Sequence, residues 1–96
     1  MTPEGKVKND VKLILRQLGA YYVMPATGGY GASGAPDFLV CHKGRFIAIE
    51  CKAKKNKPTP LQKLHFDAIV TAGGQTFLAD EQSVINLKSF LGAAHA

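Results

Sequence analysis

Two apolar runs joined by a glycine turn constrain this chain more than any other feature. Residues 36–53 read "PDFLVCH", then Lys43-Gly44, then "RFIAIECKA". Each run suits a strand. A two-residue connection with Gly suits a tight antiparallel hairpin, although Lys is not the favoured first turn residue. Pro36 fits a strand start, where no ladder donor is needed. With Lys43 and Gly44 as the turn, His42 faces Arg45, Cys41 faces Phe46, Val40 faces Ile47, Leu39 faces Ala48 and Phe38 faces Ile49. The next pair outward is Asp37 with Glu50. A three-residue turn would instead oppose Pro36 to Glu50 and send Asp37 to the other face.

Directly opposed side chains share a face, roughly 5 Å apart at Cβ. Strand alternation adds Lys52 to that face and turns Cys51 to the other, with Ile47 and Ile49. Two carboxylates and an ammonium therefore meet at one strand tip. Opposed like charges destabilise a sheet, so something must offset them. Lys52 is one candidate. A divalent cation is another, since Mg²⁺ is commonly held by one or two carboxylates with waters and phosphate oxygens. Such an ion meets a phosphate and lowers the pKa of a bound water. A cation placed like Lys52 stabilises charge developing at phosphorus, or holds the water. The outline is metal-assisted phosphodiester hydrolysis.

The ordinary explanation of an acid–lysine pair at a strand end is a solvated surface ion pair of little energetic weight. Three features stand against it here. The register opposes the two carboxylates. The glycine-rich stretch "TGGYGASGA", residues 27–35, leads directly into Asp37 and allows close approach of backbone to a ligand. Downstream, Lys52, Lys54, Lys55 and Lys57 are enough to attract a phosphate backbone.

Around the hairpin, periodicity supplies the other elements. Residues 3–18 predict an amphipathic helix with Val7, Val11, Ile14, Leu15 and Leu18 on one stripe, Thr2 as N-cap, Pro3 in first position and Gly19 as terminator. Glu4 lies on the edge of that stripe, where the positive helix N-terminus alone favours a carboxylate. Residues 20–26 suit a short strand. Thr59-Pro60-Leu61-Gln62 is a capping-box pattern opening a helix over 59–72, with Leu61, Leu64, His65, Ala68, Ile69 and Ala72 along one side and Gly73-Gly74 at its end. Residues 75–79 make a strand. Asp80 can cap a last helix over 81–91 carrying Val84, Leu87 and Leu91. The order α-β-β-β-α-β-α predicts a mixed α/β domain with helices packed on one sheet.

With 96 residues, one domain over 1–96 is expected. No apolar run is long enough to span a bilayer. The opening "MTPEGKVKND" has no apolar signal region, so the expected location is the cytoplasm. A formal charge of +5 favours a polyanionic partner, though weakly. Cys41 and Cys51 suit free thiols rather than a disulfide framework or metal site. Tyr30, in the glycine-rich loop, could stack on nucleic acid. Packing explains Tyr21 or Tyr22 more cheaply. His42, His65 and His95 suggest no metal site.

"APDFLV…FIAIECKAK" resembles the PD-(D/E)XK nuclease signature, with Pro36-Asp37 followed by Glu50-Cys51-Lys52. More narrowly, the chain resembles the VRR-NUC family, whose small standalone members are often phage-encoded and related to Holliday-junction resolvases. The likeness spans nearly the whole chain, including the early Glu4, the glycine-rich segment before Pro36-Asp37, and Gln62 opening the next helix. It implies a restriction-endonuclease-like α-β-β-β-α-β core with a mixed sheet flanked by helices. It also implies Mg²⁺ or Mn²⁺ held by Asp37, Glu50 and the Cys51 backbone carbonyl, with Glu4 completing the site directly or through water. Lys52 would position the water or stabilise charge, and Gln62 would contact the site or the DNA, its capping role standing equally well.

The expected function is a divalent-metal-dependent DNA endonuclease, structure-selective on branched or four-way-junction DNA. Lys54, Lys55, Lys57, Tyr30 and Ser33 are the expected DNA contacts. A homodimer is expected, meeting through the last helix or the glycine-rich loop. If the chain is phage-encoded, it would act in the host cytoplasm. The alternative is a non-catalytic nucleic-acid-binding module of the same fold, against which the opposed carboxylates argue.

Overall fold

A computed structural model describes residues 1–26, 34–54 and 56–93. Helix α1 (Pro3–Leu18) starts as its sequence predicts: the Thr2 hydroxyl accepts from the Gly5 N–H, and Gly19 ends the helix in the left-handed region. Strands β1 (Tyr21–Val23), β2 (Phe38–His42) and β3 (Arg45–Cys51) follow, then α2 (Pro60–Thr71) and β4 (Gln75–Ala79). The segment after β4 is not one helix. It is a 3-10 turn (Ser83–Asn86) followed by a short α3 (Leu87–Gly92). The Asp80 carboxylate opens the turn by accepting from the N–H groups of Gln82 and Ser83.

The hairpin register is the one the two-residue turn requires, from His42 opposite Arg45 to Phe38 opposite Ile49. Lys43 has φ 50° and Gly44 φ 78°. Both turn residues are thus left-handed, matching a tight hairpin whose twist suits its strands. The sheet runs β1-β2-β3-β4, antiparallel except for the parallel β3–β4 pair. The parallel pair needs a crossover, which α2 supplies.

Alternation divides the sheet. Phe38, Val40, Ile47, Ile49 and Cys51 face α1 and α3, and with Val7, Val11, Leu15, Ala79, Leu87 and Leu91 form the buried core. At the turn end of this face, the buried Arg45 ties α3 to the sheet. Its Nε donates to Gln75 Oε1 at 2.7 Å, and its Nη1 donates to the carbonyls of Phe90 and Leu91 at 2.9 and 3.1 Å. Its guanidinium also lies over the Phe90 ring. The last helix therefore has little apolar surface to offer a partner. Leu87 and Leu91 are buried and Val84 packs on the core, leaving Ile85 of the preceding turn exposed. Of the last helix expected over 81–91, Ile85 is the exposed large apolar residue, and Leu87 and Leu91 belong to the core.

The opposite sheet face carries α2, with only His65 and Ile69 of the stripe its sequence suggests turned inward. The half-buried residues of α2 are Gln62, His65, Phe66 and Ile69. Leu61, Leu64, Ala68 and Ala72 are exposed. The polar demand of Glu50 on Gln62 and the contact of α2 with the β4 side of the sheet turn the helix away from its own apolar stripe. Among the described residues, no helix is long and apolar enough to cross a membrane.

Candidate active site

The β2–β3 hairpin brings Asp37 and Glu50 together one pair beyond the last paired residues, Phe38 and Ile49. They are not simply opposed and repelling. Asp37 Oδ2 accepts from the Cys51 N–H at 2.8 Å, and Glu50 Oε1 accepts from the Asp37 N–H at 3.2 Å. Each carboxylate thus caps a backbone donor at the end of the other strand. This fixes the rotation of both side chains and leaves Asp37 Oδ1 and Glu50 Oε2 pointing at other partners.

Those partners are donors. Lys52 Nζ stands 3.7 Å from Glu50 Oε2, and Gln62 Nε2 donates to the same oxygen at 2.9 Å. Gln62 also completes the predicted capping box, its Oε1 accepting from the Thr59 N–H while its own N–H donates to the Thr59 hydroxyl. One side chain therefore serves both readings of the sequence: its oxygen fixes the start of α2 and its amide nitrogen meets the site. On the other side, Lys8 Nζ lies 3.5 Å from Asp37 Oδ1 and 3.9 Å from Glu4 Oε2. Helix α1 thus brings Glu4 to the rim of the pair through Lys8, one turn further along.

Burial sets the electrostatics. Glu50 is 3 % exposed, and its pKa rises from 4.5 to about 7. Desolvation is the main cause and the Asp37 charge adds to it, against the opposing pull of Lys52. The Cys51 thiol is pushed far up, chiefly by burial and then by the Asp37 and Glu50 charges. It is an inert core group facing away from the carboxylates.

The sequence-predicted residues Asp37, Glu50, Lys52, Glu4 and Gln62 thus converge. The residues expected to contact DNA are not seen to join this cluster among the described residues. Lys54 and Lys57 are exposed, and the Lys54 N–H is held by Glu81 Oε1 at 2.6 Å. Lys55, Tyr30 and Ser33 lie outside the described residues. Lys8 was not singled out from sequence, although its i, i+4 spacing from Glu4 was a usable signal. Nor was the use of both carboxylates as backbone acceptors, which depends on side-chain rotation. Among the described residues, no group of three or more His, Cys, Asp or Glu side chains is arranged to hold a metal. What the strand tip offers is two carboxylate oxygens free of backbone bonds.

No family model matches the chain. A protein named "Putative nuclease p44", from Acyrthosiphon pisum secondary endosymbiont phage 1, is 36 % identical over 88 residues, spanning 88 % of this chain and 89 % of its own length. A solved structure described as a VRR_NUC domain superposes with a TM-score of 0.74 at 26 % identity, covering 93 % of this chain and 97 % of its own. The fold, the element order and these likenesses agree with the resemblance carried by Pro36-Asp37 and Glu50-Cys51-Lys52. The chain belongs to the VRR-NUC family of nucleases.

Proposed function

We propose that the protein is a divalent-metal-dependent DNA endonuclease of the PD-(D/E)XK type, selective for branched DNA such as four-way junctions and acting as a homodimer. The observation that carries this reading is the locked Asp37–Glu50 pair. Its two remaining oxygens accept no backbone bond among the described residues and face side-chain donors, Lys8 at Asp37 Oδ1 and Lys52 and Gln62 at Glu50 Oε2. A binding module would gain nothing from carboxylates that repel phosphate.

The donor set suits Mg²⁺ or Mn²⁺. It consists of hard oxygens, Asp37 Oδ1 and Glu50 Oε2, with the Cys51 carbonyl on the same strand end. Two carboxylates as direct ligands, with Glu4 reached through water, fit an ion that keeps waters and takes phosphate oxygens. When bound, such an ion activates a water and screens the phosphate. The chain's own residues do the positioning. The cross-strand bonds hold both carboxylates without reorganisation, and Gln62 orients Glu50. Lys52, only 13 % exposed at its side chain, holds an ammonium where charge develops on the phosphate oxygens. Glu4 joins the site through water.

Selectivity for branched DNA rests on recognition of backbone shape in preference to base edges. Phosphates and shape are its cues. Lys54, Lys55 and Lys57 supply the phosphate contacts, with Tyr30 and Ser33 from the glycine-rich loop. Cutting two strands symmetrically needs two sites, hence a two-fold pair. The outward stripe of α2 and the outer sheet face supply a surface for it. Leu64 is 63 % exposed, Phe46 45 % and Tyr21 69 %. A groove of about 500 Å³ between α2 and the hairpin is lined by Phe46, His65, Ala68, Ile69 and Ala72.

The test is a labelled four-way junction beside a matched linear duplex, each with Mg²⁺, Mn²⁺ or EDTA. The proposal expects cation-dependent cutting of the junction in preference to the duplex. Equal cutting of both would remove the junction selectivity. Binding without cutting under either cation would replace the enzyme with the non-catalytic module.

A further inference from the structure

We propose that Lys8 competes with the divalent cation for Asp37 Oδ1, and so acts as a positioning residue that sets how tightly the site holds metal. The inference rests on the two-carboxylate reading above and deepens it. The two oxygens of Asp37 have different partners. Oδ2 is committed to the Cys51 N–H at 2.8 Å, and Oδ1 faces the Lys8 ammonium at 3.5 Å. A cation coordinated by Oδ1 sits roughly 2 Å from it. The ammonium and the ion cannot both approach that oxygen closely, because two cations on one oxygen repel.

The same ammonium lies 3.9 Å from Glu4 Oε2, so Lys8 engages both acids on the α1 side of the site. The two lysines are held differently. The Lys52 side chain is 13 % exposed against a Glu50 side chain at 4 %, whereas the Lys8 side chain is 34 % exposed. Lys52 is fixed beside its carboxylate. Lys8 has a path to solvent and can yield. Once displaced, it stands at the rim of the site, where a phosphate of the substrate becomes its new anion. Cation and nucleic acid then favour one another's binding, each supplying what the other needs to release Lys8 from Asp37.

The test measures metal alone, without nucleic acid. Mn²⁺ is titrated calorimetrically into the full chain and into Lys8→Met, Lys8→Arg, Lys6→Met and Asp37→Asn, at a pH well above the Glu50 pKa. Lys6 is exposed on the same helix and outside the ion pairs around Asp37, so it controls for simple loss of charge. Lys8→Met is expected to bind Mn²⁺ about fivefold or more tightly than the wild type, with Lys6→Met within about twofold. Lys8→Arg keeps the wild-type affinity, and Asp37→Asn loses binding. Wild-type binding that Asp37→Asn abolishes, but that Lys8→Met leaves no tighter than Lys6→Met does, overturns the role of Lys8 and leaves the metal site standing. Binding by neither the wild type nor Lys8→Met overturns both. Circular dichroism on each variant guards against misfolding, and Lys8→Gln is the substitute if Lys8→Met does not fold.

Discussion

Three donors converge on the Glu50 carboxylate, yet burial still pushes its pKa to about 7. Two pH effects follow. Folding favours the protonated acid, so in EDTA the stability contributed by Glu50 is fully present below pH 4.5 and is lost as pH rises through about 7. Metal binding has the opposite sign, because a cation must displace that proton. At subsaturating metal, cleavage is expected to rise roughly tenfold per pH unit below about 7 and to level off above it. More metal should shift the midpoint towards acid. A profile flat from pH 5 to 8 at low metal would remove Glu50 as the titrating ligand. The meeting of Asp37, Glu50 and Lys52 was legible in the sequence because a two-residue turn fixes which residues oppose. How the acids avoid repelling was not legible. Their turn towards backbone N–H groups is a matter of side-chain rotation, which no spacing encodes.

At the scale of elements, the start of α2 is tied to the hairpin at Gly34. Its φ is +80°, and a Cβ built there would lie 2.8 Å from Leu61 Cβ and 2.9 Å from the Leu61 carbonyl carbon. Neither the backbone conformation nor the space tolerates a side chain. Gly34→Ala is expected to cost on the order of 2 kcal/mol in urea unfolding. It should also move the first turn of α2, weakening the Gln62–Glu50 bond, so activity should fall further than stability alone predicts. Unchanged unfolding and cleavage would show that the first turn of α2 gives way without consequence. The capping box of α2 was readable from Thr59-Pro60-Leu61-Gln62. The side it buries was not, because its apolar stripe and its contact side differ. Of the predicted stripe, His65 and Ile69 are half-buried while Leu61, Leu64, Ala68 and Ala72 are exposed, because the contact side is rotated towards Gln62 reaching Glu50 and Ile69 packing beside Phe46 and Gly74. In the last segment Val84, Leu87 and Leu91 were legible as its apolar side and do pack on the core, whereas the break into a 3-10 turn and a short helix, and the hold of Arg45 on α3, were not legible.

For the whole molecule, the element order was legible because each element carries its own signal and the mixed sheet was implied by the family resemblance, whereas the strand order and the parallel pairing of β4 come from the structure. The exposure of Leu61, Leu64, Ala68 and Ala72 was not legible, since it depends on how α2 sits. The account expects a dimer in sedimentation, and Leu64→Glu should shift it to monomer with little loss of stability, because Leu64 is 63 % exposed within one chain. A monomeric wild type at micromolar concentration would exclude this surface as a stable interface. The central claim, that the Asp37–Glu50–Lys52 tip is where phosphodiester bonds are cut, has a more direct test. Single-turnover cleavage of a labelled junction with Mn²⁺ is compared for the wild type, Asp37→Asn and Lys52→Ala, all checked for equal DNA binding. Cutting by the wild type and loss of at least about a hundredfold in both variants is the predicted result. Cutting by either variant at the wild-type rate would contradict it and place the chemistry elsewhere on the chain.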